Sequence, residues 1–427
     1  MPSPARRWAD ESAMRVIVAI VLSALSCFGQ TFTQRGFLET RGTFYPREAV
    51  NDSAHAVGEA LFRYESFYRP SPAFQLAGAV DFRTDTHRQV EREFHFSWWD
   101  REIRKPIGDV RRLSATLHKG PLTLEVGKQV VRWGKTDIVT PIDRFAPRDY
   151  LTVVDNDFLA ITAGRLNFEK GSNIIEAVWS PRLTPSRLPL ANQRWAPPPP
   201  QTPLVFGVPI KIGDFRRVIP GGPQSGIRWN HAGPFEVEFS VYQGMDHLPS
   251  FEPGALRLTP TGPQVDVNIF YPKITVAGTD LAIQTPLFTI KAEGAYVSSK
   301  DSRADEYALY VMQLERQKGS WFFIGGYAGE AVTQRGTRTA TFSPDRGLTK
   351  TFLGRADYTI DTNRNLAFEA AIRQDGDGVW IKGEFSQALG QHWRLMLNVT
   401  GIGGDVDDFL GQYYRNSHGV VILRYSF

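Results

Sequence analysis

The residues best suited to chemistry in this chain of 427 residues lie in one charged segment between positions 132 and 149. Arginine and lysine side chains can bind anionic groups, and the interleaved aspartates can pair with them or attract cations. Fixed charges of both signs filter ions and polar solutes where they line a narrow, water-filled passage. The candidate constriction and solute-binding residues are therefore Arg132, Lys135, Asp137, Asp143, Arg144, Arg148 and Asp149.

Histidine, serine and cysteine offer little for a catalytic or metal centre. The eight histidines form no His-Glu-x-x-His motif, and the single cysteine, Cys27, excludes disulfide scaffolds and cysteine-ligated metals. Ser97 follows His95 on one strand face, and Asp246 precedes His247, which weakly suggests a hydrolase. The sequence thus predicts no enzyme, no metal and no cofactor, with a barrel hydrolase as the last alternative.

Composition removes several other classes of protein. Lysine and arginine number 49 against 45 aspartates and glutamates, an excess too small to indicate nucleic-acid binding. Hydrophobic residues make up 42% of the chain, which is too much for a disordered protein. No run of ~20 apolar residues follows position 30, so helices do not span a membrane. A β-barrel is still allowed, because alternation hides its hydrophobicity.

The amino terminus predicts export. Met14-Arg15 precedes a short apolar run that ends in small residues, as in a secretory signal peptide. We assign residues 1–29 to this signal, with initiation at Met14 as an alternative to Met1. Residues 30–427 then form the exported part of the chain.

Beyond the signal, apolar and polar residues alternate in short segments such as 74–82 and 366–373. This period of two is typical of β-strands with one apolar face. We predict an all-β antiparallel, up-and-down transmembrane barrel of about 18 strands, with 16 or 20 as alternatives. This count requires that residues 265–283 form one long strand, which runs through Pro272.

The connections between these strands alternate in length, which a soluble sandwich does not require. Tight turns are expected on the periplasmic side and long loops on the extracellular side. Loop 133–158 is the candidate constriction, and loop 181–224 is a proline-rich extracellular loop. The other long loops are predicted at 85–108, 246–264, 298–306, 329–349 and 402–416, with 374–378 as the one short member.

Two further features depend on the strand phase. The last strand ends in an aromatic residue, and Tyr425 and Phe427 look like the signal that barrel-assembly machinery reads. The polar face should line the lumen, either as a structural lattice of ion pairs or as the wall of a hydrated passage. The candidate lumen-lining residues are Arg63, Arg83, Arg355, Arg373, Lys382, Arg394 and Arg424.

The charge of Lys128 conflicts with the direction that the alternation of its strand predicts for its side chain. Alternation from Leu122 through Val126 directs it toward lipid, which would cost ~2–4 kcal/mol near the midplane. A bulge at Gly127 would re-aim the ammonium group into the lumen.

Segment 122–150 also carries a resemblance. Its Gly127-Lys128-Gln129 strand end, its Trp133-Gly134 pair and its loop with Pro141-Ile142-Asp143 and Pro147-Arg148-Asp149 resemble an uncharacterised family of bacterial outer-membrane barrels. That family is related to the alginate-export and porin-like families. The resemblance implies a channel or exporter, but it names no solute.

The sequence therefore predicts a channel in the outer membrane of a Gram-negative bacterium, which passes polar or anionic solutes through a charged lumen. The alternative is a surface receptor or adhesin whose barrel is plugged. Loop 133–158 either folds inward or caps the surface. Expected partners are outer-membrane lipid and lipopolysaccharide, the barrel-assembly machinery, an unknown small solute, and a periplasmic or inner-membrane transport partner, but no nucleic acid.

Overall fold

The computed structural model describes residues 31–137, 139–197, 204–205, 208–260, 262–337 and 340–427. The predicted signal peptide, 1–29, lies outside the described residues, as does most of the proline run that begins at Pro197. Within the described part of the chain, no helix is long and apolar enough to cross a membrane.

The wall of the molecule is one closed sheet of 18 antiparallel strands, which confirms the predicted architecture. In chain order the strands are β1 Phe32–Phe44, β2 Ala56–Ser71, β3 Phe74–Asp85, β4 Gly108–Lys119, β5 Leu122–Gln129, β6 Ile161–Lys170, β7 Asn173–Arg182, β8 Gly221–Ala232, β9 Phe235–Met245, β10 Lys273–Gln284, β11 Thr289–Ser299, β12 Glu306–Lys318, β13 Trp321–Gln334, β14 Thr351–Thr359, β15 Arg364–Arg373, β16 Val379–Leu389, β17 Trp393–Gly403 and β18 His418–Ser426. Strand β1 pairs with β2 on one edge and with β18 on the other, so the sheet has no free edge.

Side chains along each strand alternate between two environments. On β9, Phe239 and Val241 are exposed on the outer face, whereas Glu238 and Ser240 are buried on the inner face. Exposed apolar side chains recur on the outer face of the other strands and form a continuous belt. Such a belt is stable only against hydrocarbon, which is the arrangement of a transmembrane barrel.

The two ends of the barrel differ in the length of their connections, as predicted. Eight turns of two to four residues lie at the end where β1 begins and β18 finishes. Glycines such as Gly120 and Gly171 adopt the positive φ that these tight turns need. Nine connections lie at the opposite end, and 374–378 is the shortest of them. We call these the turn end and the loop end.

The predicted strand 265–283 is wrong. Residues Gly262–Phe270 pair with Ser250–Thr259 and Lys211–Arg217 in a small separate sheet at the loop end, and β10 begins only at Lys273. Pro272 has no N–H to donate, so it ends one sheet before the next begins. Alternation identified a strand but could not identify the sheet to which it belongs. The loop between β9 and β10 is therefore 246–272 rather than 246–264.

Strand β5 has only 8 residues, and this positions the loop that follows it. Strand β5 pairs with β4 only as far as Leu113, and beyond Gln129 the chain leaves the wall and enters the barrel. On the edge of β4 left free above that point, Phe96–Ser97 pair in parallel with Gly108 and Asp109. A segment of the loop between β3 and β4 thus fills a notch in the wall.

Inside the barrel, the loop between β5 and β6 packs on the wall through apolar side chains. Val131, Trp133, Ile142 and Phe145 are buried against inward-facing residues of β6, β7 and β9–β12. A second cluster joins the 150s to Trp195 and to the loop that precedes β18. The loop end of the lumen is therefore largely filled by protein on that side.

Candidate functional site

The central loop, 130–160, crosses the lumen and is held at its tip by one carboxylate. Glu293 of β11 accepts hydrogen bonds from the backbone N–H of Lys135 (3.2 Å) and Ile142 (2.9 Å), and from the hydroxyl of Thr136 (2.8 Å). Gly134 passes so close to this carboxylate that a Cβ there would lie 2.6 Å from it. The loop thus lies inside the barrel, the inward of the two orientations considered from the sequence.

Two of the seven candidate constriction residues reach the wall beside this carboxylate. The ammonium of Lys135 lies 2.8 Å from Asp280 and 3.3 Å from Glu236. The carboxylate of Asp137 lies 3.2 Å from Lys291 and accepts a hydrogen bond from Gln313. Both side chains therefore fix the loop to strands β9–β12.

Arg132, Asp143 and Arg148 form a second group within the loop. Asp143 accepts hydrogen bonds from the Arg132 side chain and from the Trp133 backbone, both at 3.2 Å. Burial raises the pKa of Asp143 to about 6, although both of these donors act in the opposite direction. The guanidinium carbons of Arg132 and Arg148 lie 4.1 and 4.2 Å from the ring centroid of Phe158. This is cation–π distance, and it stiffens the returning arm of the loop.

Arg144 and Asp149 are both buried. Arg144 is only 4% exposed, and its Nε and Nη2 atoms have no hydrogen-bond partner among the described residues. Asp149 lies 2.6 Å from Arg187. Of the seven candidates, only Asp149 borders the main cavity of the lumen.

That main cavity lies on the side of the barrel that the central loop leaves free. It has a volume of about 310 Å³ and runs between strands β18 and β1–β4 on one side and residues 149–160 on the other. Its lining is strongly polar. The charged residues that it takes from the wall are Glu39, Arg41, Glu59, Arg63, Arg83, Asp109, Arg111 and Arg424, and the loops add Asp100, Lys105, Asp149, Asp155 and Asp157.

Opposite charges face each other across this cavity. Arg41 of β1 lies 2.6 Å from Asp155, and Arg111 of β4 lies 3.0 Å from Asp157. In both of these pairs the wall supplies the cation and the returning arm of the central loop supplies the anion. These two ion pairs join the returning arm to the wall and hold it at a fixed distance from β1 and β4.

Three of the predicted lumen-lining arginines border the same cavity. Arg63 and Arg83 both pair with the buried Asp81, the former at 2.7 Å. Arg424 pairs with Glu39 of the neighbouring strand at 2.5 Å. Sharing of carboxylates between adjacent strands is the ion-pair lattice that the sequence suggested.

The other four predicted residues lie away from the cavity. Arg355 pairs with its neighbours Asp357 and Glu369, and Lys382 lies 3.6 Å from Glu384. Arg394 donates to the hydroxyl of Ser386. In the pairing of β17 with β18, Arg394 lies directly opposite Arg424. Arg373 lies 3.2 Å from Asp408 and donates to the carbonyls of residues 347 and 349, so it anchors two loops.

Lys128 points inward, and a buried network explains why. Its ammonium lies 2.7 Å from Asp100 and 3.1 Å from Asp109. The re-aiming occurs at Gly127, whose φ is +132°, while the pairing of β4 with β5 continues without a shift in register. A positive φ, rather than the expected bulge, thus turns the side chain of Lys128 inward while its backbone stays paired in the wall.

Comparison with known proteins identifies the architecture. No protein-family model matches the chain, and no curated protein sequence matches it. Among solved structures, a BenF-like porin from Pseudomonas fluorescens aligns with a TM-score of 0.54 at 9% identity, over 93% of this chain and 97% of that porin. OccAB4 of Acinetobacter baumannii aligns at 0.51 and 10% identity, over 93% and 99% of the two chains. OpdK of Pseudomonas aeruginosa, solved with vanillate, aligns at 0.50 and 9% identity, over 92% and 98%.

The chain has the fold of an outer-membrane porin. Within that porin fold, sequence reasoning missed two wall arginines of the cavity, Arg41 and Arg111. Arg41 shares the inward phase of Glu39, so alternation could have found it. Arg111 is the extra residue at an irregular step in the pairing of β3 with β4, where Ala79 pairs with Arg112 and Val80 with Val110, and no sequence signal marks that step.

The residues considered for hydrolysis make structural contacts in this porin fold. The His95 ring lies 2.8 Å from Glu91, and the hydroxyl of Ser97 donates to Glu102. His247 is hydrogen-bonded through Nδ1 to the hydroxyl of Ser186 at 2.8 Å, a pair that the sequence did not reveal. Both of these side chains are buried, and burial lowers the pKa of His247 to about 3. The pair joins two loops and is closed to any substrate.

Proposed function

We propose that this protein is a channel in the outer membrane of a Gram-negative bacterium, and that small polar or anionic solutes pass along the wall formed by β18 and β1–β4. The observation that carries the proposal is the charged cavity of about 310 Å³ between that wall and the central loop. Its size is at the lower end of the range for small-molecule sites. A single small solute, rather than a polymer, is therefore the proposed cargo.

The central loop is the proposed constriction. Its apolar side chains close the lumen against β6–β12, so the passage is confined to the polar side. There, cations of the wall face anions of the loop, as in the Arg41–Asp155 pair. Charges arranged in this way orient a polar solute as it passes and exclude apolar ones.

Small carboxylates are the proposed solute class. Five arginines of the wall border the cavity, and guanidinium groups bind carboxylates with matched, bidentate geometry. OpdK, one of the structures of similar fold, was solved with vanillate, which is a carboxylate. We extend that chemistry to this chain as part of the proposal.

The experiment is single-channel recording in planar bilayers. Wild-type protein should give discrete conductance steps, and the double variant Arg41→Gln/Arg111→Gln should shift the reversal potential toward cation preference, because only wall cations are lost. The matched control is Arg364→Gln, which removes an arginine paired with Asp361 at the turn end. Equal shifts in the two proteins would contradict the assignment of the passage.

One observation favours a second function. The apolar clusters that fill the loop end resemble a plug, as expected for a surface receptor or adhesin with a closed barrel. If well-folded protein shows no conductance under any ionic condition, the channel proposal is rejected in favour of this alternative.

We also propose that the strand end at Gly127 and the following loop mark kinship with the family related to alginate-export and porin-like barrels, without any solute being carried over. Support comes from the structural role of the shared residues. Gly127 lets the side chain of Lys128 point inward, Trp133 packs on the wall, and Asp143 closes the loop on itself. Homologous sequences aligned with this chain should retain Gly127, Trp133 and Asp143, whereas residues on the outer face of the strands should vary.

A further inference from the structure

Three arginines meet at the notch in the wall. Arg101 lies in the loop between β3 and β4, Arg182 is the last residue of β7, and Arg217 ends the strand Lys211–Arg217. The Nε and Nη2 atoms of Arg101 donate to the carbonyl of Leu183 at 3.0 and 2.7 Å. Arg217 donates to the carbonyl of Arg101 at 3.0 Å. Hydrogen bonds from arginine side chains to backbone carbonyls thus hold three separate stretches of chain together.

This cluster lacks counter-charges. Among the residues that the structure describes, no carboxylate lies within 4.0 Å of any of the three guanidinium groups. By contrast, Arg63, Arg83 and Arg424 in the barrel wall are all paired with carboxylates. Unpaired cations that gather in one place repel each other, so an anion bound there would be stabilised by all three.

Aromatic rings take the place of carboxylates. Arg182 lies 5.0 Å from the ring centroid of Trp99, and Arg217 donates to the hydroxyl of Tyr271 at 3.0 Å. Burial, together with the neighbouring Arg182 and Arg217, lowers the pKa of Arg101. The cluster is therefore positioned by rings and carbonyls, which leave its positive charge uncompensated.

The cluster lies at the rim of the barrel, where the outer belt ends. Leu183 is buried inside, whereas the preceding Arg182 is exposed. Trp179, three residues nearer the turn end, is 53% exposed on the outer face of β7. Ile103 and Val218, which closely follow the other two arginines, are more than half exposed. Cations bordered by exposed apolar side chains suit a ligand with both an anionic head and hydrocarbon.

We propose that Arg101, Arg182 and Arg217 form a binding site for a phosphate group of lipid A in the outer leaflet. Guanidinium groups bind phosphate oxygens with matched geometry, and the apolar rim contacts acyl chains. A free phosphate would use the same arginines but would gain nothing from the rim. The site rests on the outer-membrane placement proposed above, but not on any transport through the lumen.

The experiment measures binding of lipid A to the purified full-length protein in detergent, by native mass spectrometry. The probes are lipid A with both phosphates, lipid A stripped of phosphate, and inorganic phosphate as a competitor. Wild-type protein should prefer the phosphorylated lipid by about tenfold or more, as expected from charged hydrogen bonds. The triple variant Arg101→Gln/Arg182→Gln/Arg217→Gln should lose that preference.

The matched control removes three exposed loop cations elsewhere, in the variant Lys300→Gln/Arg335→Gln/Arg415→Gln. It should bind phosphorylated lipid A within about twofold of wild type, because scattered surface charges contribute little. Should the triple variant fail to fold, Arg182→Gln alone serves instead, since that guanidinium contacts a ring rather than a carbonyl. The single variant should bind at least about threefold more weakly.

Equal losses in the cluster variant and the control would overturn the site, as would wild-type protein that binds stripped lipid A equally well. Competition by inorganic phosphate at the same concentration as lipid A would show that the site binds a free anion rather than a lipid. Single-channel recording in phosphatidylcholine bilayers without lipid A tests transport separately. Protein that binds lipid A but does not conduct rejects the channel alone, and the reverse result rejects this site alone.

Discussion

The ammonium of Lys128 lies 2.7 Å from Asp100, and both side chains are almost completely buried. The second oxygen of the same carboxylate lies 3.4 Å from Arg187, which in turn pairs with Asp149. One aspartate therefore joins the end of β5 to the loops that follow β3 and β7. The network closes the notch in the wall from the inside.

The first prediction concerns this ion pair. Replacement Lys128→Met should lower the free energy of unfolding by about 3–5 kcal/mol, because it removes the ammonium group that pairs with the buried carboxylates of Asp100 and Asp109. Urea titration in lipid vesicles measures the change. The control Lys119→Met, at the exposed turn end of β4, should change it by less than about 0.5 kcal/mol. A Lys128 variant as stable as this control would show that the network does not hold the loops.

The second prediction concerns Gly127, whose backbone conformation directs the side chain of Lys128 inward. Gly127 has a φ of +132°, and a Cβ there would lie 2.2 Å from the carbonyl oxygen of Leu113. Replacement Gly127→Ala should destabilise the protein by about 1–3 kcal/mol, because both the conformation and the contact become strained. Gly164→Ala is the control, since its Cβ would meet open space. Similar urea midpoints for the two variants would contradict the role of Gly127.

The third prediction concerns pH and His247, whose pKa is lowered to about 3 by burial and by the nearby Arg144 and Arg148. Between pH 6.5 and 3 the unfolded chain binds a proton here that the folded chain does not. Stability from this group is therefore complete above pH 6.5 and is lost as the pH falls toward 3.

His247→Gln should consequently show a shallower fall in the free energy of unfolding between pH 6.5 and 4 than wild-type protein does. His118→Gln, which alters an exposed histidine near the turn end of β4, should keep the wild-type slope. A wild-type slope in the His247 variant would mean that other groups dominate acid sensitivity.

The fourth prediction concerns the last residue. The backbone of Phe427 exchanges two hydrogen bonds of 3.0 Å with Gly36, and its ring lies 6.2 Å from that of Phe62. Deletion of Phe427 should lower the yield of folded barrel in cells, as judged by heat-modifiable migration on gels, whereas Phe427→Tyr should keep it. Normal yields from the deletion variant would contradict the assembly signal at Tyr425 and Phe427.

Several features of the fold could be predicted from the amino-acid sequence. Lipid on one face and water on the other impose a period of two, so strand number and the alternation of turns and loops followed directly. The two-sheet arrangement around Pro272 was missed, because alternation looks the same in either sheet. The inward-facing charges were found for Arg63 and Arg83, but Arg111 was hidden by an irregular step in the pairing.

The central loop shows a different limit. The charged residues of this loop suggested a constriction in the sequence. The apolar residues that lie among them decide where the loop packs, namely Val131, Trp133, Ile142 and Phe145. Reading charge alone placed Arg144 in the passage, whereas the structure buries it. Burial of a side chain depends on what the opposite wall presents, and that information is distributed over many strands.

By itself the sequence determined the closed barrel and its two unlike ends, because both follow from local alternation and chain length. The inward orientation of the central loop came from the tertiary structure, which packs its apolar side chains on the wall. Only the tertiary structure decided which side of the lumen stays open and which cations are left unpaired. Arg41 meets Asp155, and Arg101 meets Arg182 and Arg217, across stretches of chain that share no local pattern. Charges act through space, so their partners are fixed only when the sheet closes.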